Sequence, residues 1–302
     1  MRNNVPEDPA DQASGGVAPA GQQYVYSRGW RRFTTVILPP VIKAVMGRDW
    51  HGYQHVPREG GVILAPNHLS YADWGAVALF SYQAGRYPSF MIKSPVFSVK
   101  FVGQLLYKVG QFPVYRGEAD AALVLRDAEA ALRQGACLIV YPEGTASRDP
   151  DLWPMAARTG VARLALTTGA PVIPVAHWGA QVILPYGEKK PRLWPRQTVK
   201  LAAGPPVDLS EFKGAGLNAQ ALRAATDTVM RDITGLLAGL RGEQPPEGRY
   251  DPRTGRRVPV PGGSAGPAAT GETGGSPAGP GPETTGTPPE TTGTPPEGTG
   301  TE

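Results

Sequence analysis

Apolar residues follow two spacings along this chain. Val62-Ile63-Leu64-Ala65-Pro66 is a short continuous run, opened by Gly60-Gly61 and closed at Asn67, which predicts a buried strand ending in a turn. Over 70–80 the apolar positions recur at helical spacing, with Ser70 as the expected N-cap. The same alternation continues. Strands are predicted over 87–92, 111–115, 136–141 and 172–176, with 182–184 and 198–203 as candidate further strands. Helices are predicted over 96–109, 118–134, 157–168 and 218–240, with Gly135 and Gly169 placed as stops. Strands alternating with helices predict an α/β fold: a single layered domain with a largely parallel central sheet flanked by helices.

The two ends lack this patterning. Residues 1–23 are polar and rich in Pro, Ala, Gly and Gln. From Glu243 the chain is rich in Pro, Gly and Thr, with a tandem Glu-Thr-Thr-Gly-Thr-Pro-Pro repeat starting at Glu283 and Glu290. Such segments have too little apolar surface to offset the entropy of ordering, so disorder is expected over 1–23 and 243–302. One domain remains, 24–242. Its first part, 24–48, mixes Trp30, Phe33, Ile37, Val41 and Met46 with Arg28, Arg31, Arg32, Lys43 and Arg48. Two readings fit that stretch: a helix lying at a membrane interface, or an ordinary N-terminal helix packed on the core. No signal-peptide pattern opens the chain, and no apolar stretch reaches the ~20 residues of a spanning helix. A cytoplasmic protein, peripheral or monotopic on the inner face of the cell membrane, is therefore expected.

Charge is unevenly spread. The chain carries 30 basic and 26 acidic residues, yet 24–261 holds 29 and 18 of them, a net of +11. A basic fold points to an anionic partner: a phospholipid surface, nucleic acid or a phosphorylated substrate. Zinc-ligand sets, RNP-like aromatics and helix-turn-helix spacing are all missing from the sequence, so nucleic acid is not expected. The single cysteine, Cys137, excludes a disulfide framework and sits in an apolar run where a thiol is inert. No metal site is expected. Gly262-Gly263-Ser264-Ala265-Gly266 fits G-x-S-x-G but follows no strand, so a serine hydrolase is not supported.

The candidate chemistry lies in Asn67-His68-Leu69-Ser70-Tyr71-Ala72-Asp73. On one helix, His68 and Asp73 would point about 140° apart. Across a strand–helix junction the turn brings them together, and an aspartate on one imidazole nitrogen leaves the other free to take a proton. Ser70-x-x-Asp73 also fits a helix cap. The other predicted strand ends carry polar residues too: Tyr115-Arg116-Gly117, and Pro142-Glu143-Gly144-Thr145. Ligand groups collect at such strand ends in α/β sheets, and their joint occurrence favours the dyad.

These blocks resemble the glycerolipid acyltransferase family, and within it the bacterial 1-acyl-sn-glycerol-3-phosphate acyltransferases. The family's Asn-His-x4-Asp matches Asn67, His68 and Asp73, and its glycine before a strand ending in arginine matches Gly110 to Arg116. Its Phe-Pro-Glu-Gly-Thr-Arg-Ser matches Tyr141-Pro142-Glu143-Gly144-Thr145, and its apolar strand with an inner proline matches Val172-Ile173-Pro174-Val175. The match covers about 45–205. It departs at Ala146, where the family has arginine; a basic residue returns at Arg148. The resemblance implies direct acyl transfer, with no bound cofactor, from acyl-CoA or acyl carrier protein to the free hydroxyl of a lysophospholipid acceptor, 1-acyl-glycerol-3-phosphate. It makes His68 the general base and Asp73 its partner. Arg116 would pair with the acceptor phosphate, Arg148 would stand in for the missing arginine, and Glu143 would orient Arg116 or a sugar hydroxyl. Gly144 and Thr145 would supply turn amides, and Lys93 and Arg158 would add positive charge. An anionic membrane surface is the expected partner besides the substrates. An acyltransferase for another lysophospholipid or hydroxylated lipid is an alternative reading. A non-catalytic lipid-binding module is another, and it has no need of His68 beside Asp73.

Overall fold

The computed structural model describes residues 26–114, 118–214 and 216–259. In chain order, α1 (Arg28–Val45) runs directly into β1 (Met46–His51). Then come β2 (Val62–Pro66), α2 (Asp73–Gln83), β3 (Pro88–Lys93), α3 (Val102–Lys108), β4 (Phe112–Val114), α4 (Glu118–Arg133) and β5 (Cys137–Ile139). The second half holds α5 (Gly160–Thr168), β6 (Val172–Trp178), α6 (Ala180–Ile183), β7 (Gln197–Ala203), α7 (Ala219–Arg241), and a hairpin of β8 (Arg249–Asp251) and β9 (Arg256–Val258).

Seven strands form one sheet in the order β1-β7-β6-β2-β5-β3-β4, parallel throughout except where β6 meets β7. The expected largely parallel α/β layering is present. Every residue of β2 is buried, as a central strand covered on both faces requires. One core layer gathers Val62 and Leu64 of β2 with Val77 and Phe80 of α2. The opposite layer gathers Ile63 with Leu164 of α5 and Val229, Met230 and Ile233 of α7. The glycines ahead of β2 have a physical reason. A Cβ on Gly61 would fall 2.2 Å from the Leu132 carbonyl oxygen, a clash with backbone that cannot move aside. The nearly buried Arg86 donates to the carbonyls of Gly60 and Gly135 at 2.6 and 2.8 Å, stitching together the edge where β2 and β5 begin. The opposite edge, where they end, is left for the site.

Several expectations change. Residues 182–184 do not form a strand, because Val182 and Ile183 lie in α6. The helix expected over 96–109 is broken: a 3-10 turn covers Ser94–Ser98, Phe101 has φ +66°, and only then does α3 begin. α2 begins at Asp73, three residues after the expected cap; the Ser70 hydroxyl accepts from the Ala72 N–H at 2.9 Å and donates to the Leu184 carbonyl at 2.6 Å. β1 was hidden in a stretch without alternation, and it pairs through its backbone with β7. The folded chain also continues past 242. Arg249 pairs with Asp227 of α7, and Arg257 reaches Asp149 and Asp151 at 2.6 and 3.0 Å, so charge pairing helps to order a segment that is poor in apolar residues. Residues 1–25 and 260–302 lie outside the described residues, as do the expectations that fall on them. Among the described residues, no helix is long and apolar enough to cross a membrane.

Candidate active site

Three adjacent parallel strands, β6, β2 and β5, end at one edge of the sheet, and the chain just beyond or at each end supplies a titratable side chain. His68 follows β2, Glu143 follows β5, and His177 lies near the end of β6. The turn after β2 brings His68 Nδ1 to 2.9 Å from Asp73 Oδ2. That oxygen also accepts the backbone N–H groups of Leu69 at 2.7 Å and Ser70 at 2.9 Å. One carboxylate thus tightens the turn and holds the ring, so the capping and dyad readings of Asp73 coexist in the geometry. Because the carboxylate accepts, the proton sits on Nδ1 of His68 and the lone pair on Nε2. No described residue bonds Nε2, and the ring faces a large cavity with Tyr141 packed beside it, centroids 4.3 Å apart.

Asp73 is fully buried. Burial acts to raise its carboxyl, but the His177 and His68 imidazoles outweigh it and hold the group at about 2. It is therefore ionised at neutral pH. The sequence reading missed His177. This residue is also fully buried; its Nε2 lies 2.8 Å from the Asn67 carbonyl oxygen and 3.4 Å from Asp73 Oδ2. Burial alone would lower the imidazole, yet Asp73 beside it shifts it upward. Asn67 clasps the His177 backbone from both sides, donating to its carbonyl at 3.1 Å and accepting its N–H at 2.8 Å. The available signal was a histidine one place beyond the predicted strand 172–176 and just before Gly179.

Among the described residues Glu143 holds backbone groups. Its two oxygens accept backbone N–H groups, from His68 at 2.9 Å and Met155 at 2.9 Å. The side chain is nearly buried and fixes the turn carrying His68 against the loop carrying Met155. Burial pushes its carboxyl up to about 8, against those two N–H donors, which favour the ionised form. Gly144 turns the chain with φ +69°, and its own N–H is used within the turn, donating to the Tyr141 carbonyl at 3.1 Å. The same position lacks a side chain for a second reason: a Cβ there would meet Arg158 Nε at 3.2 Å, so Arg158 lies across the turn. Thr145 is half-buried next to it.

The cavity beside His68 has a volume of about 1000 Å³. Most of its wall is apolar, including Phe33 and Ile37 of α1, Trp74 of α2, Phe90 and Ile92 of β3, and Leu105 of α3. Its charged lining is wholly basic, from Lys93, Arg158 and Arg163. Arg148 is exposed and is not part of that lining; Ala146 is fully buried, so no cation projects from that position. Arg116 lies outside the described residues. Among the described residues no group of three His, Cys, Asp or Glu is arranged to hold a metal ion. A base with its acid, an apolar cavity and nearby cations together suit proton removal from a hydroxyl on an amphiphilic, anionic molecule.

The Acyltransferase family model matches residues 48–178. A chloroplastic 1-acyl-sn-glycerol-3-phosphate acyltransferase of Brassica napus is 27% identical over 143 residues, 47% of this chain and 40% of that protein. The 1-acyl-sn-glycerol-3-phosphate acyltransferase of Bacillus subtilis is 25% identical over 184 residues, 60% of this chain and 84% of that protein. The match thus spans well under half of the plant relative and most of the bacterial one. The solved 1-acyl-sn-glycerophosphate (LPA) acyltransferase PlsC of Thermotoga maritima superposes with a TM-score of 0.54 at 22% identity, covering 72% of this chain and 83% of that one; it shares the fold. The similarity of this chain to the acyltransferase family thus lies in residues 48–178.

Proposed function

We propose that this chain transfers a fatty acyl group from an acyl thioester to the free hydroxyl of 1-acyl-glycerol-3-phosphate, giving phosphatidic acid. The observation that carries this reading is His68 Nε2, unpartnered among the described residues and facing the apolar cavity while Asp73 holds Nδ1 at 2.9 Å. Nε2 takes the hydroxyl proton as the oxygen attacks the thioester carbonyl. A C–O bond forms, the C–S bond breaks, and the imidazolium returns the proton to the departing thiolate. Asp73 stabilises the imidazolium, a step worth roughly 10²–10⁴-fold in rate. The apolar wall takes acyl chain. Lys93 and Arg158 take the acceptor phosphate, with Arg158 in the role for which the sequence reading named Arg148. Arg116, two positions beyond β4 in the sequence, is a further candidate for it. Glu143 acts indirectly, by fixing the backbone of His68.

α1 supports a membrane-surface setting. Its Ser27 end docks on α3, the Ser27 N–H donating to the Lys108 carbonyl at 2.7 Å, while Phe33, Val36, Ile37 and Val41 stay exposed. An apolar stripe beside Arg28 and Arg32 fits an anionic bilayer interface, and Phe33 and Ile37 belong to both the stripe and the cavity wall. Acyl-CoA or acyl carrier protein supplies the thioester. The acceptor is tested by comparing initial rates on lysophosphatidic acid and lysophosphatidylcholine with one acyl-CoA. At least tenfold higher kcat/KM is expected for the former, whose phosphate is terminal and doubly charged. Equal values would remove the assignment of Lys93 and Arg158 to that phosphate.

A further inference from the structure

Beside the reaction cavity lies a second concavity of about 760 Å³, and the two share Arg158, Thr159 and Arg163 as a common wall. Arg223 and Leu222 of α7 and Leu217 just before it line the other side. Three guanidinium groups therefore border one hollow, and no acidic residue lines it. Among the described residues none of the three has a carboxylate partner.

Three other arginines of the chain are accommodated differently. Arg249 pairs with Asp227 and Arg257 with Asp149 and Asp151, while Arg241 stacks between Trp153 and Trp178, 4.1 and 4.4 Å from the ring centroids. Cations gathered without counter-charge repel one another, and a bound anion reverses the sign of that interaction. The field is reinforced because α5 begins at Gly160, directly after Thr159 of the shared wall, with no side-chain cap at Thr159. Planar guanidinium groups suit phosphate, which they bind in bidentate fashion.

We propose that this hollow is a phosphate-binding subsite for the acyl donor, in which Arg163 and Arg223 hold a phosphate of a coenzyme A thioester. The inference rests on the acyltransferase reading. An acceptor such as lysophosphatidic acid carries its phosphate a few bonds from the reacting hydroxyl, so that phosphate stays in the cavity with His68. A coenzyme A thioester carries its phosphates at the far end of a long pantetheine arm, and these reach a neighbouring hollow while the thioester carbonyl remains beside His68. Arg158, lying across Gly144, separates the two phosphates.

The test uses the full chain and Arg223→Ala and Arg223→Glu variants, since Arg223 is exposed and its replacement leaves the core untouched. Free coenzyme A binding is measured by calorimetry. Initial rates are measured with lysophosphatidic acid and either palmitoyl-CoA or the palmitoyl thioester of N-acetylcysteamine, which has no phosphate. Arg223→Glu is expected to weaken coenzyme A binding and raise the KM for palmitoyl-CoA about tenfold or more, with Arg223→Ala intermediate. The loss of kcat/KM should be at least fivefold greater with palmitoyl-CoA than with the truncated donor. Unchanged coenzyme A affinity in both variants overturns the subsite. A rise confined to the KM for lysophosphatidic acid overturns the donor assignment and gives the phosphate to the acceptor. Coenzyme A binding that depends on Arg223 in a protein that transfers no acyl group would leave the subsite standing and refute the acyltransferase reading.

Discussion

At the scale of residues, the site is a buried charge arrangement that exposes one nitrogen. Asp73 is ionised between two imidazoles, Glu143 is raised by burial, and only the His68 ring reaches the cavity. The Glu143 proton has a consequence for stability. The folded chain holds it up to about pH 8, whereas an ordinary glutamate at 4.5 in the unfolded chain has already lost it. Folding therefore takes up a proton between those values, and stability falls as pH rises through that window, by at most about 1.4 kcal/mol per unit. Asp73, depressed to about 2, acts in the opposite direction and only below its ordinary value of 3.8. The raised His177 adds to the fall. In Glu143→Gln the slope between pH 5 and 8 should flatten. The amide nitrogen will also face one of the two N–H donors, costing roughly 1–3 kcal/mol at pH 5. Urea denaturation from pH 5 to 8 checks both; parallel profiles for the two proteins would contradict the protonated Glu143. The dyad was readable because its two members lie five positions apart across one turn. His177 was not, because its partner Asp73 lies 104 positions earlier and only the pairing of β2 with β6 brings them together.

At the scale of elements, the parts that sequence patterning found are those held by apolar burial, and the parts it missed are held in other ways. β2 announces itself by its continuous apolar run and α7 by periodicity. β1, Met46-Gly47-Arg48-Asp49-Trp50-His51, has none and exists because β7 offers it a parallel ladder. The β8–β9 hairpin depends on Arg249 and Arg257, and its Tyr250 carbonyl accepts the Ala156 N–H at 3.0 Å. That contact braces the loop whose Met155 N–H holds Glu143. The 96–109 segment folds closely onto itself where it breaks, an approach that Gly103 permits because a Cβ there would overlap the Phe97 carbonyl oxygen. α1 docks on α3, as a packed N-terminal helix does, and leaves uncovered the apolar stripe that a membrane interface would need. If that stripe meets a bilayer, Val36→Glu with Val41→Glu should lower the fraction sedimenting with phosphatidylglycerol vesicles several-fold. Equal sedimentation of variant and wild type would count against it. These two side chains are 69% and 55% exposed, so the change leaves packing intact.

At the scale of the whole molecule, the sheet makes the site by direction. β6, β2 and β5 run parallel and adjacent, so residues from distant parts of the chain meet at their shared end. Part of the fold's net positive charge gathers there, in a cavity and an adjoining hollow lined by Lys93, Arg158, Arg163 and Arg223 with no acid among their linings. Where the resembled family has arginine this chain has Ala146, and under the proposed function Arg158, lying across Gly144, takes that part, a placement that spacing along the chain does not reveal. Under the proposed function His68 is the group that moves the proton. The direct measurement is transfer of a labelled acyl group from acyl-CoA to lysophosphatidic acid by wild type and His68→Ala, with circular dichroism and thermal unfolding confirming that the variant is folded. A fall of about 10²–10⁴-fold in kcat with the fold retained is the predicted result. A folded His68→Ala protein that keeps wild-type turnover would contradict the account.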